Sequence, residues 1–203
     1  MLKTFRESLC AGILITIGGT VFLSCENKTA GAVLFSVALL CICYKGYYLF
    51  TGKIGYIVEQ HKKQDFLNLA VGLFGNLIAT FLLGMLLQTV LPNIGERAAE
   101  MCSAKLAQFP LYSFIRGFFC GILMYLAVSI YKEKNSVLGV LFCVPVFILC
   151  GFEHSIADMF YFGTSGIFDT KIIFFMALIV AGNTLGAMVL PLLKGVHTNE
   201  KQG

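Results

Sequence analysis

Apolar and polar positions fall in blocks along this chain, long uncharged stretches separated by short polar ones. A bilayer crossing takes roughly 20 mostly apolar residues, so each stretch predicts one spanning helix. The first is Ser8 to Cys25. The second runs from about Thr29 through Phe50, interrupted by Lys45. The third lies within Phe66 to Ile94, and the fourth covers about Tyr112 to Tyr131, with Arg116 near its start. The fifth begins at about Ser136, and the sixth covers Ile172 to Leu193. Together they predict an all-α integral membrane protein of six transmembrane helices, one domain over 1–203.

The two halves repeat. Cys10-Ala11-Gly12-Ile13-Leu14 matches Phe119-Cys120-Gly121-Ile122-Leu123, Gly31-Ala32-Val33-Leu34-Phe35 matches Gly139-Val140-Leu141-Phe142, and Gly75-Asn76-Leu77-Ile78-Ala79 matches Gly182-Asn183-Thr184-Leu185-Gly186. The offsets are 109, 107 and 107 residues, taken from Gly12 to Gly121, Leu34 to Leu141 and Gly75 to Gly182. An odd number of spans per repeat inverts the second against the first. The expected repeats are about 1–95 and about 105–195, and inverted repeats put a solute path near the midplane, beside interrupted helices.

Both middle spans carry an interruption. In the second it is Leu49-Phe50-Thr51-Gly52-Lys53. In the fifth it is Cys150-Gly151-Phe152-Glu153-His154, and the run on to Asp158 holds three ionisable residues where charge is expensive. Glycine lets the backbone leave helical geometry. Freed backbone groups are tolerated at that depth only within protein or beside a cavity. Thr51 and His154 are expected at pseudo-equivalent places, facing each other across the axis.

Composition narrows the class. The chain is 58% hydrophobic and 13% charged, against about 25% charged for a soluble domain. The net charge of +4 forms no basic tract, which excludes nucleic acid as an expected partner. Seven of the eight cysteines lie in or at apolar runs and no CxxC pair exists, so they read as packing residues. The start of the chain reads as a polar segment before a full span, not as a cleaved signal. With the N-terminus inside, Lys3, Arg6, Lys62, Lys63, Lys132, Lys134, Lys194 and Lys201 fall on the inner side. Lys28, Arg97, Lys105, Arg116 and Lys171 fall on the outer side. That bias favours a cell-membrane protein with both termini cytoplasmic.

Leu49-Phe50-Thr51-Gly52, Gly75-Asn76-Leu77-Ile78, Gly151-Phe152-Glu153-His154-Ser155-Ile156-Ala157 and Gly182-Asn183 resemble the formate/nitrite transporter family, which includes hydrosulfide channels. The resemblance covers all six spans in order. It implies an aquaporin-like protomer with an inverted 3+3 repeat, broken second and fifth helices, and assembly as a homopentamer in the lipid bilayer. Each protomer then has its own pore for a small monovalent anion. His154 matches the central pore histidine and Thr51 its hydrogen-bonding threonine. Phe35 and Phe147 match an outer apolar constriction, and Leu39, Leu49 and Phe50 an inner one. Lys105 matches a vestibule lysine, Asn76 and Asn183 match asparagines near the pore, and Glu153 matches the acid behind the pore wall. The chain departs from the pattern at Tyr48, Gly121 and Asp158, where an acid, Asn and Asn are common, and Lys45 and Lys53 add positive charge around the broken second helix.

Formate leads the expected substrates, ahead of hydrosulfide and nitrite. An anion must shed water at an apolar ring, which is costly. A protonated imidazole can stabilise it, or hand it a proton so that a neutral acid crosses; an unperturbed pKa of about 6.5 suits that task. Gradients supply direction, since no nucleotide-binding motif is present. A neutral-solute pore of aquaporin type lacks its paired Asn-Pro-Ala signature here, as Pro92, Pro110, Pro145 and Pro191 are not placed to supply it. A membrane enzyme built on Glu153, His154 and Asp158 is the rival from another class. A metal site there is disfavoured, because Glu153 faces away from the His154–Asp158 side and no second histidine is near. No cofactor is expected.

Overall fold

Lipid offers the backbone no hydrogen-bond partners, so a chain of apolar stretches must satisfy its own amides helix by helix. The computed structural model describes residues 1–59 and 61–195; Lys201, counted toward the inner side, lies outside them. Among the described residues every regular element is helical. Helix α1 is Leu2–Ser24, α2 Lys28–Lys45, α3 Lys63–Val90, α4 Pro92–Leu106, α5 Pro110–Lys134, α6 Leu138–Leu149, α7 Ser155–Ser165 and α8 Lys171–Lys194, with two 3-10 turns, Phe50–Gly52 and Ile54–Val58, between α2 and α3. Helices α1, α2, α3, α5 and α8 are each long and apolar enough to cross a membrane, and α6 is a shorter apolar helix. Large apolar side chains such as Phe74, Phe142 and Ile173 stand exposed on the outside, as expected of a membrane protein.

Helix α4 has no counterpart among the expected spans. It starts on Pro92, whose missing N–H costs nothing at a helix start. It buries Ile94, Ala98 and Cys102, four residues apart, on one face.

Helices α2 and α6 end in the same way. Gly46 and Gly151 both take φ +68°. The N–H of Tyr47 donates to the carbonyl of Ile42 at 3.1 Å, and that of Phe152 to the carbonyl of Phe147 at 2.9 Å. These are the long closing bonds of a left-handed helix cap. A Cβ added to either glycine would meet nothing within 4 Å, so backbone conformation alone calls for glycine there. Beyond the caps the halves diverge. The first continues as 3-10 turns, the second as α7, whose first turn is capped by His154.

Helix α5 lies along α8, and α1 along α3. Both contacts are close because small residues face each other. A Cβ on Gly182 would sit 2.6 Å from the carbonyl oxygen of Phe114, and one on Gly12 would sit 2.6 Å from the Cβ of Ala79. Close approach brings Asn183 and Asn76, on α8 and α3, up to the two interruptions.

Candidate functional site

Each interruption leaves backbone groups without helical partners, and one asparagine satisfies them in each half. Asn76 Oδ1 accepts from the N–H of Phe50 at 2.8 Å, while its Nδ2 donates to the carbonyls of Tyr48 at 2.9 Å and Ser8 at 2.8 Å. Asn183 Oδ1 accepts from the N–H of Ser155 at 2.9 Å, and its Nδ2 donates to the carbonyls of Glu153 and Gly117, both at 2.8 Å. Both side chains are fully buried, with both amide donors used on backbone.

These bonds set Tyr48 against Glu153, Leu49 against His154 and Phe50 against Ser155. The place equivalent to His154 therefore belongs to Leu49, not to Thr51. The cap glycines are 105 residues apart, Gly46 to Gly151, so the register of the breaks follows the caps rather than the Thr and His of the two motifs.

Thr51 still reaches the histidine. Its Oγ1 lies 2.8 Å from His154 Nε2. His154 Nδ1 accepts from the N–H of Ala157 at 3.1 Å, capping α7. An acceptor cannot carry the proton, so the neutral ring is protonated on Nε2 and donates to Thr51. The threonine hydroxyl hydrogen remains available to a further acceptor. Thr51 and His154 are both buried.

Aromatic rings continue from the imidazole. Phe147 stacks on His154 with centroids 5.6 Å apart and planes at 23°, and Phe35 meets Phe147 edge to face at 6.4 Å. Leu39 and Leu49 are buried in the same apolar cluster and also line a cavity of about 90 Å3. Phe50 packs elsewhere, with Ile54, Ile57, Leu69, Tyr125 and Ala187.

Lys105, in the last turn of α4, contacts the Glu153 carboxylate, and its Nζ lies 3.0 Å from Asp158 Oδ1. All three side chains are nearly buried. One cation thus faces two carboxylates, and Asp158 Oδ2 has no hydrogen-bond partner among the described residues. Burial works against the ammonium, but Asp158 and Glu153 outweigh it and hold Lys105 protonated well above the ordinary lysine range. Glu153 and Asp158 turn toward Lys105, whereas His154 turns toward Thr51, so the three ionisable residues of the motif do not converge on one point.

The place of Asp158 is legible only in three dimensions. Lys105 precedes Glu153 by 48 positions, a separation no periodicity could connect. Lys53 and Lys132, 79 positions apart, likewise come to one cavity only in three dimensions.

The sequence profile of the family described as "Formate/nitrite transporter" matches residues 1–194. An uncharacterised transporter of Bacillus subtilis, YwcJ, is 30% identical over 185 residues, covering 81% of this chain and 72% of that protein. The formate channel FocA of Escherichia coli is 25% identical over 187 residues, covering 78% of this chain and just under two thirds, 65%, of the channel. A solved structure described as a pentameric formate channel with formate bound superposes with a TM-score of 0.79 at 24% identity, over 95% of both chains. A second, described as an ion channel of the same family, gives a TM-score of 0.78 at 21% identity over 95% of this chain and 87% of that one.

Proposed function

The chain belongs to the formate/nitrite transporter family, and from that premise we propose that it carries small monovalent weak-acid anions across the cell membrane, formate first, with nitrite and hydrosulfide of the same charge class behind it. The single observation that carries this reading is the Thr51–His154 hydrogen bond, which joins the two interruptions at 2.8 Å beside an apolar wall. The architecture proposed is one domain of six spans, an inverted repeat of about 1–95 and about 105–195, five protomers per assembly and both termini cytoplasmic. The pentameric formate channel among the similar structures supports the assembly and the substrate.

On this reading the anion passes Phe35 and Phe147, meets Thr51 and His154, and leaves past Leu39 and Leu49; Phe50, grouped with them by the resemblance, packs instead against Ile54 and Tyr125. A chain of donors runs from the Ala157 N–H through the imidazole to the Thr51 hydroxyl. Each bond polarises the next, and the last hydroxyl hydrogen is offered to the anion. To give up a proton, the ring passes its Nε2–H through Thr51 to the weak-acid anion and takes one back from the aqueous phase by the same hydroxyl, so that each neutral acid leaving carries one proton drawn from water while Nδ1 keeps its bond from Ala157. The neutral acid crosses the second apolar stretch without the cost of a bare charge. Asn76 and Asn183 hold the pore-side backbone in place and Glu153 supports it from behind; Lys105, expected in a vestibule, is nearly buried with its charge taken up by Glu153 and Asp158, so it joins that support instead.

The test is solute choice. Proteoliposomes should take up formate, and nitrite or hydrosulfide more slowly, with no swelling in glycerol. Glycerol or water permeation without anion uptake would assign a neutral-solute pore instead.

A further inference from the structure

We propose that the cavity between Lys53 and Lys132 is a second binding site for a small monovalent anion, at the opposite end of the Leu39–Leu49 constriction from His154. It rests on the anion-path reading and adds to it the place where the anion waits. The cavity, about 90 Å3, ends on Leu39 and Leu49 and is flanked by Lys53, Lys132, Tyr47 and Tyr131. That volume holds about three waters at roughly 30 Å3 each, room for a partly dehydrated anion of a few heavy atoms.

Lys53 and Lys132 both line this space. Lys53 sits at the end of the first 3-10 turn and the exposed Lys132 in the last turn of α5, so separate elements bring like charges to one cavity. Their charges act on each other, an arrangement that an anion between them relieves. Neither is ion-paired to a carboxylate among the described residues. Glu59, whose charge also acts on Lys132, is exposed and beyond ion-pair distance. Lys105 contrasts sharply, its single charge being met by two carboxylates.

Aromatic rings hold both lysines without using their hydrogen-bond donors. Lys132 Nζ lies 3.8 Å from the centroid of Tyr56, and Lys53 Nζ lies 5.7 Å from that of Tyr48. A ring face fixes an ammonium electrostatically, and the N–H donors pointing away from it stay free for an anion. Beyond the lysines the walls are apolar, so a site here lets a charge stay partly solvated before it meets Leu39 and Leu49.

The experiment measures initial formate uptake in right-side-out and inside-out vesicles, which present the two mouths in turn. The variants are the double Lys53→Met/Lys132→Met and the charge-keeping double Lys53→Arg/Lys132→Arg. The methionine double should raise the half-saturating formate concentration about tenfold, two solvent-screened charge-assisted contacts being lost. That rise, with a flattened ionic-strength dependence, should appear only from the Lys53–Lys132 face, while the arginine double, which keeps both charges, retains the ionic-strength dependence of wild type. Unchanged half-saturation in a methionine double that still carries formate overturns the site. So does an equal loss from both faces, or a loss of maximal flux alone. If the wild type carries neither formate, nitrite nor hydrosulfide, the anion-path reading falls and the site falls with it.

Discussion

Asn76 and Asn183 perform one task in two halves of the chain. Each accepts from a backbone N–H just past an interruption and donates to the carbonyl two residues before it, and each gives its second N–H to a neighbouring helix. The internal repeat is therefore written in hydrogen bonds as well as in sequence. It also explains why the breaks are tolerated in an apolar setting: their freed groups are taken up by protein.

Asn183→Leu keeps the volume and removes all three bonds. Leaving a buried donor or acceptor unpaired costs about 1–3 kcal/mol per group, so the purified protein should lose much of its thermal stability in detergent. Asn76→Leu should do the same. A melting midpoint within a degree or two of wild type would show that these groups find other partners.

Gly46→Ala and Gly151→Ala meet open space, so their cost is conformational only. A left-handed backbone costs an ordinary residue about 1–2 kcal/mol. Both variants should fold and transport with modestly lowered midpoints, and Gly→Asn should recover part of the loss. A severe defect in either would mean that an unseen contact fills the space.

Lys105→Met leaves Glu153 and Asp158 buried without their cation, a break that costs about 3–5 kcal/mol. Asp158→Asn leaves a one-to-one Lys105–Glu153 pair and an acceptor for the ammonium, so it should be mild. Chemical denaturation of the two variants checks the order. Equal effects would mean that Asp158 is as necessary to the cluster as the lysine.

Much of the fold was legible because lipid forces long apolar helices: the spans expected from Tyr112 and Ile172 fall within α5 and α8, and those from Ser8 and Phe66 overlap α1 and α3, overrunning their C-terminal ends. The interruption motifs pointed to Thr51 and His154 because ionisable residues are rare at that depth and the glycines beside them let a helix break. The register between the halves was hidden, since it is fixed by the caps at Gly46 and Gly151 rather than by matching side chains. The buried stripe Ile94, Ala98 and Cys102 of α4 was visible at helical spacing but lies in a polar segment that reads as a loop. The partners of Lys105 and the shared cavity of Lys53 and Lys132 depend on contacts between distant segments, which no local pattern encodes.

The most direct measurement is formate uptake into proteoliposomes by wild type, His154→Asn and Thr51→Val, at two pH values flanking the ordinary histidine pKa of about 6.5. Protein-free vesicles correct for formic acid crossing lipid. Asparagine at 154 can still accept from the N–H of Ala157 and cap α7, but it cannot carry a proton. A pore centred on His154 predicts wild-type uptake that rises as pH falls, His154→Asn with lowered uptake and a flat pH profile, and Thr51→Val with lowered uptake in a folded protein. Uptake and pH profile in His154→Asn equal to those of wild type would contradict it.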